Sequence, residues 1–231
     1  MDKIIAVIAY RRYEYLRRVL EGLAACDGID AYKTLLHIDP GYTAVEDLAR
    51  HFPLRNKEVI VNPHSYGCNG NVFAACAHAF SLTDYAVIIE DDIVPARDAL
   101  RFFEHVGDGY KADPKCFGAC AYHREDASPD HYHALLRNYS CFTPWGWSTW
   151  RDRWDQMARA WPFGDGDMSW DCVISKQVLG ERYQVHPRLA RTQNIGAKGG
   201  AFCPSEAFHA KEQFNPHWAG TRDVPPGKFS E

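Results

Sequence analysis

The 231-residue sequence has no basic run, and its net charge is −4. Electrostatic capture of a nucleic acid or an anionic membrane is therefore not favoured. No apolar stretch approaches the roughly 20 residues of a membrane-spanning helix, and Met1-Asp2-Lys3 leads straight into a strand-like run. There is no signal peptide or anchor to read, so the expectation is a cytoplasmic protein whose eight cysteines are reduced. Cys116, Cys120 and His123 have no second ligand pair at zinc-site spacing, which argues against a zinc site. No linker, internal repeat or low-complexity segment divides the chain. What is present is a composition 46% hydrophobic and 13% aromatic, ample for one large domain.

Apolar runs of strand length occur at Ile4 to Ala9, Thr34 to Ile38, Glu58 to Val61, Tyr85 to Ile89 and Cys116 to Ala121. Between them, Leu16, Val19, Leu20 and Leu23 fall at helical spacing, and Val72 to Phe80 and Asp98 to His105 read as helices. Strands alternating with helices predict an α/β fold with a mostly parallel sheet. The character changes after residue 121. Glu125 to Arg137 reads as loop, His131 and His133 included, and six of the seven tryptophans fall between Trp145 and Trp170. Trp147, Trp150 and Trp154 have the i, i+3, i+7 spacing of one helix face. Trp145 and Trp147 flank Gly146, where aromatic rings often stack on sugars or bases. Pro225-Pro226-Gly227 marks a loose tail over the last ten residues.

The stretch Tyr85 to Pro95 organises the rest. Its apolar run reads as a strand buried on both faces and ends in Glu90, Asp91 and Asp92. Ligands of open α/β sheets bind outside the carboxyl ends of the strands. Three adjacent acids repel one another, and a hard divalent cation with oxygen ligands relieves that cost. The cluster reads as a metal site for a phosphorylated substrate; a solvated acidic turn is the plain alternative.

Five pieces, in order, resemble those of a known family. They are Ala9-Tyr10-Arg11-Arg12-Tyr13 with the helix after it; Ile38-Asp39-Pro40-Gly41; Ile89-Glu90-Asp91-Asp92; Gly146-Trp147 with Trp150, Trp154, Trp161-Pro162 and Trp170-Asp171; and Pro187 to Thr192 followed by Gly196-Ala197-Lys198-Gly199. The chain resembles GT-A glycosyltransferases, most closely the N-acetylglucosaminyltransferase I group with its O-mannose-acting relative, and bacterial polysaccharide glycosyltransferases. It lacks the anchor and stem of the eukaryotic members. The resemblance implies a GT-A fold, with a nucleotide-sugar-binding half at 1–121 and a Trp-rich acceptor-side half and tail at 122–231. It implies inverting transfer from a nucleotide diphosphate sugar, UDP-GlcNAc first, to a glycan or other hydroxyl-bearing acceptor, with Mn²⁺ or Mg²⁺.

By the same resemblance Asp92 binds the metal, and Glu90 and Asp91 orient sugar and ribose hydroxyls. Asp39 reads uracil, Arg12 binds the donor, and Asn69 stands where the family has a donor-contacting histidine. Trp147 belongs to the donor side. Arg188, Arg191 and Lys198 read either as surface charge or as part of a loop that closes over the diphosphate and excludes water, with Gly196, Gly199 and Gly200 supplying freedom. Asp171 is the expected base, at the start of a helix from Asp171 to Leu179; Asp165 and Asp167 are alternatives, and helix capping is the other reading of Asp171. Asp39 also fits a simple turn, and Arg12 a solvated first-turn residue. A nucleotidyltransferase is the rival enzyme, but the turn Tyr10-Arg11-Arg12-Tyr13 has no glycine for a phosphate loop. A sugar-binding module accounts for the tryptophans and not for the acids.

Overall fold

The computed structural model describes residues 3–163, 168–199 and 203–231. The first half runs β1 (Lys3–Ala9), α1 (Tyr13–Ala24), β2 (Tyr32–Ile38), α2 (Thr43–His51), β3 (Lys57–Val61), α3 (Gly67–Leu82), β4 (Tyr85–Glu90), β5 (Ile93–Pro95), α4 (Ala99–Gly109) and β6 (Cys116–Cys120). The second half runs β7 (Leu135–Asn138), β8 (Trp147–Trp150), α5 (Arg151–Arg159), α6 (Trp170–Ile174), a π-helical turn (Ser175–Leu179), β9 (Tyr183–Pro187), β10 (Thr192–Asn194) and α7 (Glu206–Glu212). The main sheet has the order β3-β2-β1-β4-β8-β6-β9-β7, and β5 pairs with β10 in a separate ribbon. Strands β3, β2, β1 and β4 are parallel, as are β6 and β9; β8 and β7 run against their neighbours. The expected mostly parallel α/β sheet is what forms.

Successive side chains on a strand face opposite sides, and the apolar runs use both. Ile5, Val7, Ala9, Val87 and Ile89 join α1, α2 and α4 in one core. Ile4, Ala6, Ile8, Ala86 and Ile88 join α3, α5 and α6 in another. This two-faced burial is why β1 and β4 show no polar alternation. Two alanines on α3, Ala75 and Ala79, are fully buried.

The tryptophans do not form one helix face. Trp147 and Trp150 lie on β8, which pairs with β4 and β6, and Trp154 lies on α5. Trp147 and Trp150 then point to opposite faces, one in each core. Helical spacing was misleading because a central strand flanked by two others is apolar on both sides. Trp161 stacks on Trp170 with centroids 4.9 Å apart, and Trp147 packs 5.5 Å from Trp170. The last residues are also not a loose tail. Phe229 is buried against Phe102 and His133. Leu135 N–H donates to the Ser230 carbonyl at 2.8 Å, and Arg137 Nη2 to Glu231 Oε2 at 2.7 Å.

Candidate functional site

At the carboxyl ends of β1, β2 and β4 lies a cleft of about 240 Å³ lined by Tyr10, Arg11, Arg12, Asp39, Glu90 and Asp91 together with Gly67, Cys68 and Gly199. A hollow of about 390 Å³ at the other end of these strands is lined by Lys3, Tyr32, Asp84 and Glu104. It sits where strands begin, the end of an open α/β sheet that does not hold ligands. Four of the expected donor-site residues, Arg12, Asp39, Glu90 and Asp91, therefore share one cleft.

The acids are held under electrostatic tension. Asp91 and Asp92 are 5% and 8% exposed, and Glu90 is partly exposed. Burial, then the charge of Asp92, pushes the Glu90 carboxyl well above its ordinary range, against the pull of Arg12. Burial likewise pushes Asp91 up to about 6, again against Arg12. Burial works to lower the Arg12 pKa, but Asp92 and Asp91 outweigh it and raise it. Arg12 Nη2 donates to Asp91 Oδ1, and Nη1 lies 2.7 Å from Asp92 Oδ2. That Nη1 is buried and makes no aligned hydrogen bond. Among the described residues no three His, Cys, Asp or Glu side chains converge as a self-sufficient metal cage. The all-oxygen set fits Mn²⁺ or Mg²⁺ of the kind held by one or two carboxylates and completed by substrate phosphates. Glu90, Asp91 and Asp92 are the carboxylates at this strand end available to such an ion.

The β5–β10 ribbon brings residues 195–199 against the acids. Ile195 N–H donates to the Asp92 carbonyl at 2.9 Å. The Gly199 carbonyl accepts from Arg11 Nη2 at 3.3 Å, and Lys198 N–H donates to Tyr15 Oη at 3.2 Å. Lys198 is exposed at the rim, its Nζ 3.3 Å from Glu206. Arg188 is also partly exposed, 3.7 Å from Glu125. Gly200 lies outside the described residues. Arg191 is not a phosphate-closing residue. Its side chain is fully buried and bonded to Asp98 at 2.9 Å, to the Leu189 carbonyl at 2.6 Å and to the Tyr132 carbonyl at 2.8 Å. It ties the ribbon to the start of α4, and its complete burial keeps it from reaching a ligand.

Two further expectations are corrected. Asp39 lines the cleft, but its carboxylate receives Asn62 Nδ2 at 2.7 Å, Ser65 Oγ at 2.8 Å, Gly67 N at 2.9 Å and Tyr66 N at 3.0 Å. These four donors saturate a carboxylate. Asp39 clamps the loop that starts α3, and it has no free lone pair for uracil. Asn69 does not face the cleft. Its Oδ1 accepts from Trp170 N at 3.2 Å, its Nδ2 donates to the Met168 carbonyl at 3.4 Å, and its carbonyl accepts from Trp161 Nε1 at 2.9 Å. It wires α3 to the segment that precedes Asp171.

Asp171 is half-buried in the first turn of α6, and the helix-capping position is Ser169, whose Oγ donates to the Asp171 carboxylate. Asp171 is thus not the cap. Its charge is among those raising Glu90 and Cys68 in the donor cleft, each of which is raised first by burial. It also lines a second groove of about 770 Å³ with Tyr122, Trp145, His186 and Arg124. It therefore belongs to the wall of this groove, while its charge is felt in the donor cleft. Asp165 and Asp167 lie outside the described residues. Trp145 is half-buried in the groove wall, edge-on to Tyr122 at 4.7 Å. Trp147 is wholly buried and cannot stack on a ligand. Gly146 separates them at φ +76°, where a Cβ would come 2.6 Å from Thr192 Cγ2, so only glycine lets the chain turn from groove to core here. Gly196, expected to lend the loop freedom, has its N–H held by Asn194 Oδ1 at 2.8 Å and packs against Asp92 Oδ2, where a Cβ would come within 2.1 Å. Sequence reasoning missed Tyr15, which carries no chemical signature of its own.

In fold, the chain is similar to a mannosyltransferase from Pyrobaculum calidifontis in complex with GDP-Man and Mn²⁺, with a TM-score of 0.55 at 16% identity over 80% of this chain. It is also similar to residues 1–349 of S. aureus TarS, with a TM-score of 0.51 at 9% identity over 80% of this chain. The matches cover 54% and 60% of those two chains. The α/β architecture is that of these GT-A neighbours. Among the described residues no helix is long and apolar enough to cross a membrane. Residues 3–162 match the family model described as glycosyltransferase like family 2, and with well over half its length in that match the chain belongs to this family.

Proposed function

We propose that this chain transfers a sugar, with inversion, from a nucleotide diphosphate sugar to a hydroxyl of a glycan or similar acceptor, with Mn²⁺ or Mg²⁺ bound. The observation that carries the reading is that Asp171 lines the open groove while its charge is felt at Glu90 in the acid-lined cleft. A bound metal would supply Lewis-acid stabilisation of the charge that develops on the departing diphosphate. Asp92 would hold it. Glu90 and Asp91 orient hydroxyls of the donor, and Arg12 offers a fork suited to phosphate oxygens. The Asp171 carboxylate takes the proton of the acceptor hydroxyl. The freed oxygen bonds to the anomeric carbon as the bond from that carbon to the diphosphate oxygen breaks, and the electron pair leaves with the diphosphate. Trp145 and Tyr122 give the groove an aromatic wall of the kind that sugars pack on.

UDP-GlcNAc is the first donor candidate, by resemblance to the N-acetylglucosaminyltransferase I group. The saturated carboxylate of Asp39 weakens the case for uracil. A GDP-mannose arm follows from the GDP-Man and Mn²⁺ bound by the Pyrobaculum neighbour. The test is thermal unfolding with UDP, UDP-GlcNAc, GDP or GDP-mannose, each with and without Mn²⁺. A ligand at a hundred times its Kd adds about 2.7 kcal/mol to folded-state stability, so a clear rise in Tm is expected for one nucleotide series in the presence of metal. If no nucleotide diphosphate shifts the curve with any divalent cation, the proposal fails.

A further inference from the structure

Arg12 lies where a cation between Asp91 and Asp92 would lie. Its two Nη atoms address one carboxylate each. One of those contacts is a hydrogen bond, while the buried Nη1 beside Asp92 has proximity without alignment. The guanidinium is also not locked from behind. Its Cζ is 5.5 Å from the Tyr15 ring centroid, a surface along which a planar cation can slide. A Cβ built on Gly199 would be 3.7 Å from Arg12 Cδ, so the glycine leaves that flank uncrowded. Arg11 and Lys198 fasten the overlying segment to the same helix start, through the Gly199 carbonyl and Tyr15.

We propose that Arg12 is an exchangeable counter-cation, which neutralises Asp91 and Asp92 in the empty cleft and moves to the diphosphate when metal and nucleotide enter together. The proposal rests on the reading of the cleft as a metal-dependent donor site. A divalent ion and a guanidinium facing the same two carboxylates repel each other at close range. The metal alone must therefore displace Arg12 with nowhere favourable for it to go, and binds weakly. A nucleotide diphosphate gives the guanidinium a bidentate anionic partner and gives the metal further oxygens. Each ligand then tightens the other by the same factor.

Mn²⁺ titration followed by the electron paramagnetic resonance signal of the free ion tests this without any turnover. The titration is run on the full chain with and without UDP, and again with GDP. In Arg12→Gln, Mn²⁺ alone is expected to bind at least about tenfold tighter than in wild type, and the factor by which nucleotide tightens Mn²⁺ is expected to fall about tenfold. A merely structural or purely donor-binding arginine gives the opposite, with metal-only affinity unchanged or weaker, and that result overturns the proposal. Arg12→Lys keeps the charge and serves also if Arg12→Gln does not fold. Its metal-only affinity is expected within about threefold of wild type, and tight Mn²⁺ binding by this variant overturns the exchange. If wild type takes up Mn²⁺ alone as tightly as with nucleotide, the exchange is refuted while the metal site stands. If wild type binds no Mn²⁺ even with UDP or GDP, the metal reading of the cleft falls and the exchange falls with it.

Discussion

Replacing Gly196 by alanine tests the acid cluster without touching an acid. A methyl built on Gly196 would lie 2.1 Å from Asp92 Oδ2 and 2.9 Å from its Cγ. Ordinary contact begins at about 3.4 Å, so the shortfall at the oxygen is about 1.3 Å. The main chain has little room to give. Gly196 N–H is held by Asn194 Oδ1 at 2.8 Å, Ile195 N–H by the Asp92 carbonyl at 2.9 Å, and Asn194 pairs with Ile93 across the ribbon. The Asp92 carboxylate must therefore turn away by about an ångström, a displacement that costs on the order of a hundredfold in rate when it falls on a positioning group. Gly196 is not among the glycines of positive φ. Alanine thus meets no backbone penalty there, and the lower entropy of its unfolded chain offsets part of the clash. The expected outcome is a Tm within a few degrees of wild type without ligand, Mn²⁺-dependent nucleotide binding at least about tenfold weaker, and donor hydrolysis down about a hundredfold. Nucleotide release from the donor, followed by a coupled assay, reads the rate. A folded Gly196→Ala protein that binds and turns over within threefold of wild type would refute the placement of Asp92 as the metal carboxylate.

Two other outcomes are expected. Asp171→Asn cannot accept a proton, so it should bind donor as wild type does by calorimetry while transfer falls about a hundredfold or more; near-normal transfer would move the base elsewhere. Burial, reinforced by His78 with its Nδ1 at 3.0 Å, lowers His37 to about 4, whereas the unfolded histidine titrates near 6.5. The unfolded chain takes up the proton first as pH falls, so the contribution of neutral His37 is complete above about pH 6.5 and is lost towards pH 4. At pH 5 the loss is about 2 kcal/mol. It is read as the difference in urea unfolding between wild type and His37→Gln, because the raised Asp91 and Glu90 carboxyls change stability in the opposite sense. A pH-independent difference between pH 7 and pH 5 contradicts the reading.

The first half of the fold was legible because β1, β2 and β4 are apolar on both faces and are punctuated by turn residues. The second half hid its strands for a physical reason. β9 is wholly buried yet reads Tyr183-Gln184-Val185-His186-Pro187. Its polar side chains are satisfied locally, Gln184 by Thr143 N–H at 2.6 Å and His186 by the Tyr122 carbonyl at 2.8 Å. No periodicity reveals a buried polar group whose partner is distant in sequence. The same blindness explains Arg191. A cation near glycines looks like a phosphate ligand until its burial against Asp98 is seen. Glu90, Asp91 and Asp92 were readable because three charges at a strand end have few structural uses. Asp39 was half-readable: its place at the cleft followed from the strand end, but its saturation by the 62–67 loop did not.

Asn69 has a consequence for how such an enzyme can change its acceptor. It sits on the first turn of α3, two residues from Gly67 at the donor cleft, and it grips Trp161, Met168 and Trp170. The stretch that delivers Asp171 is therefore upholstered onto the donor half, although it lies late in the sequence. A chimera that grafts everything after residue 121 from another family member would sever that attachment and misplace Asp171, the proposed base. The groove wall is tied to the helix of Asp171 as well, since Phe142 N–H donates to Ser175 Oγ at 2.9 Å and Ser175 Oγ to the Asp171 carbonyl at 2.8 Å, so a wall re-cut for a new acceptor keeps Asp171 in place only if Phe142 is spared.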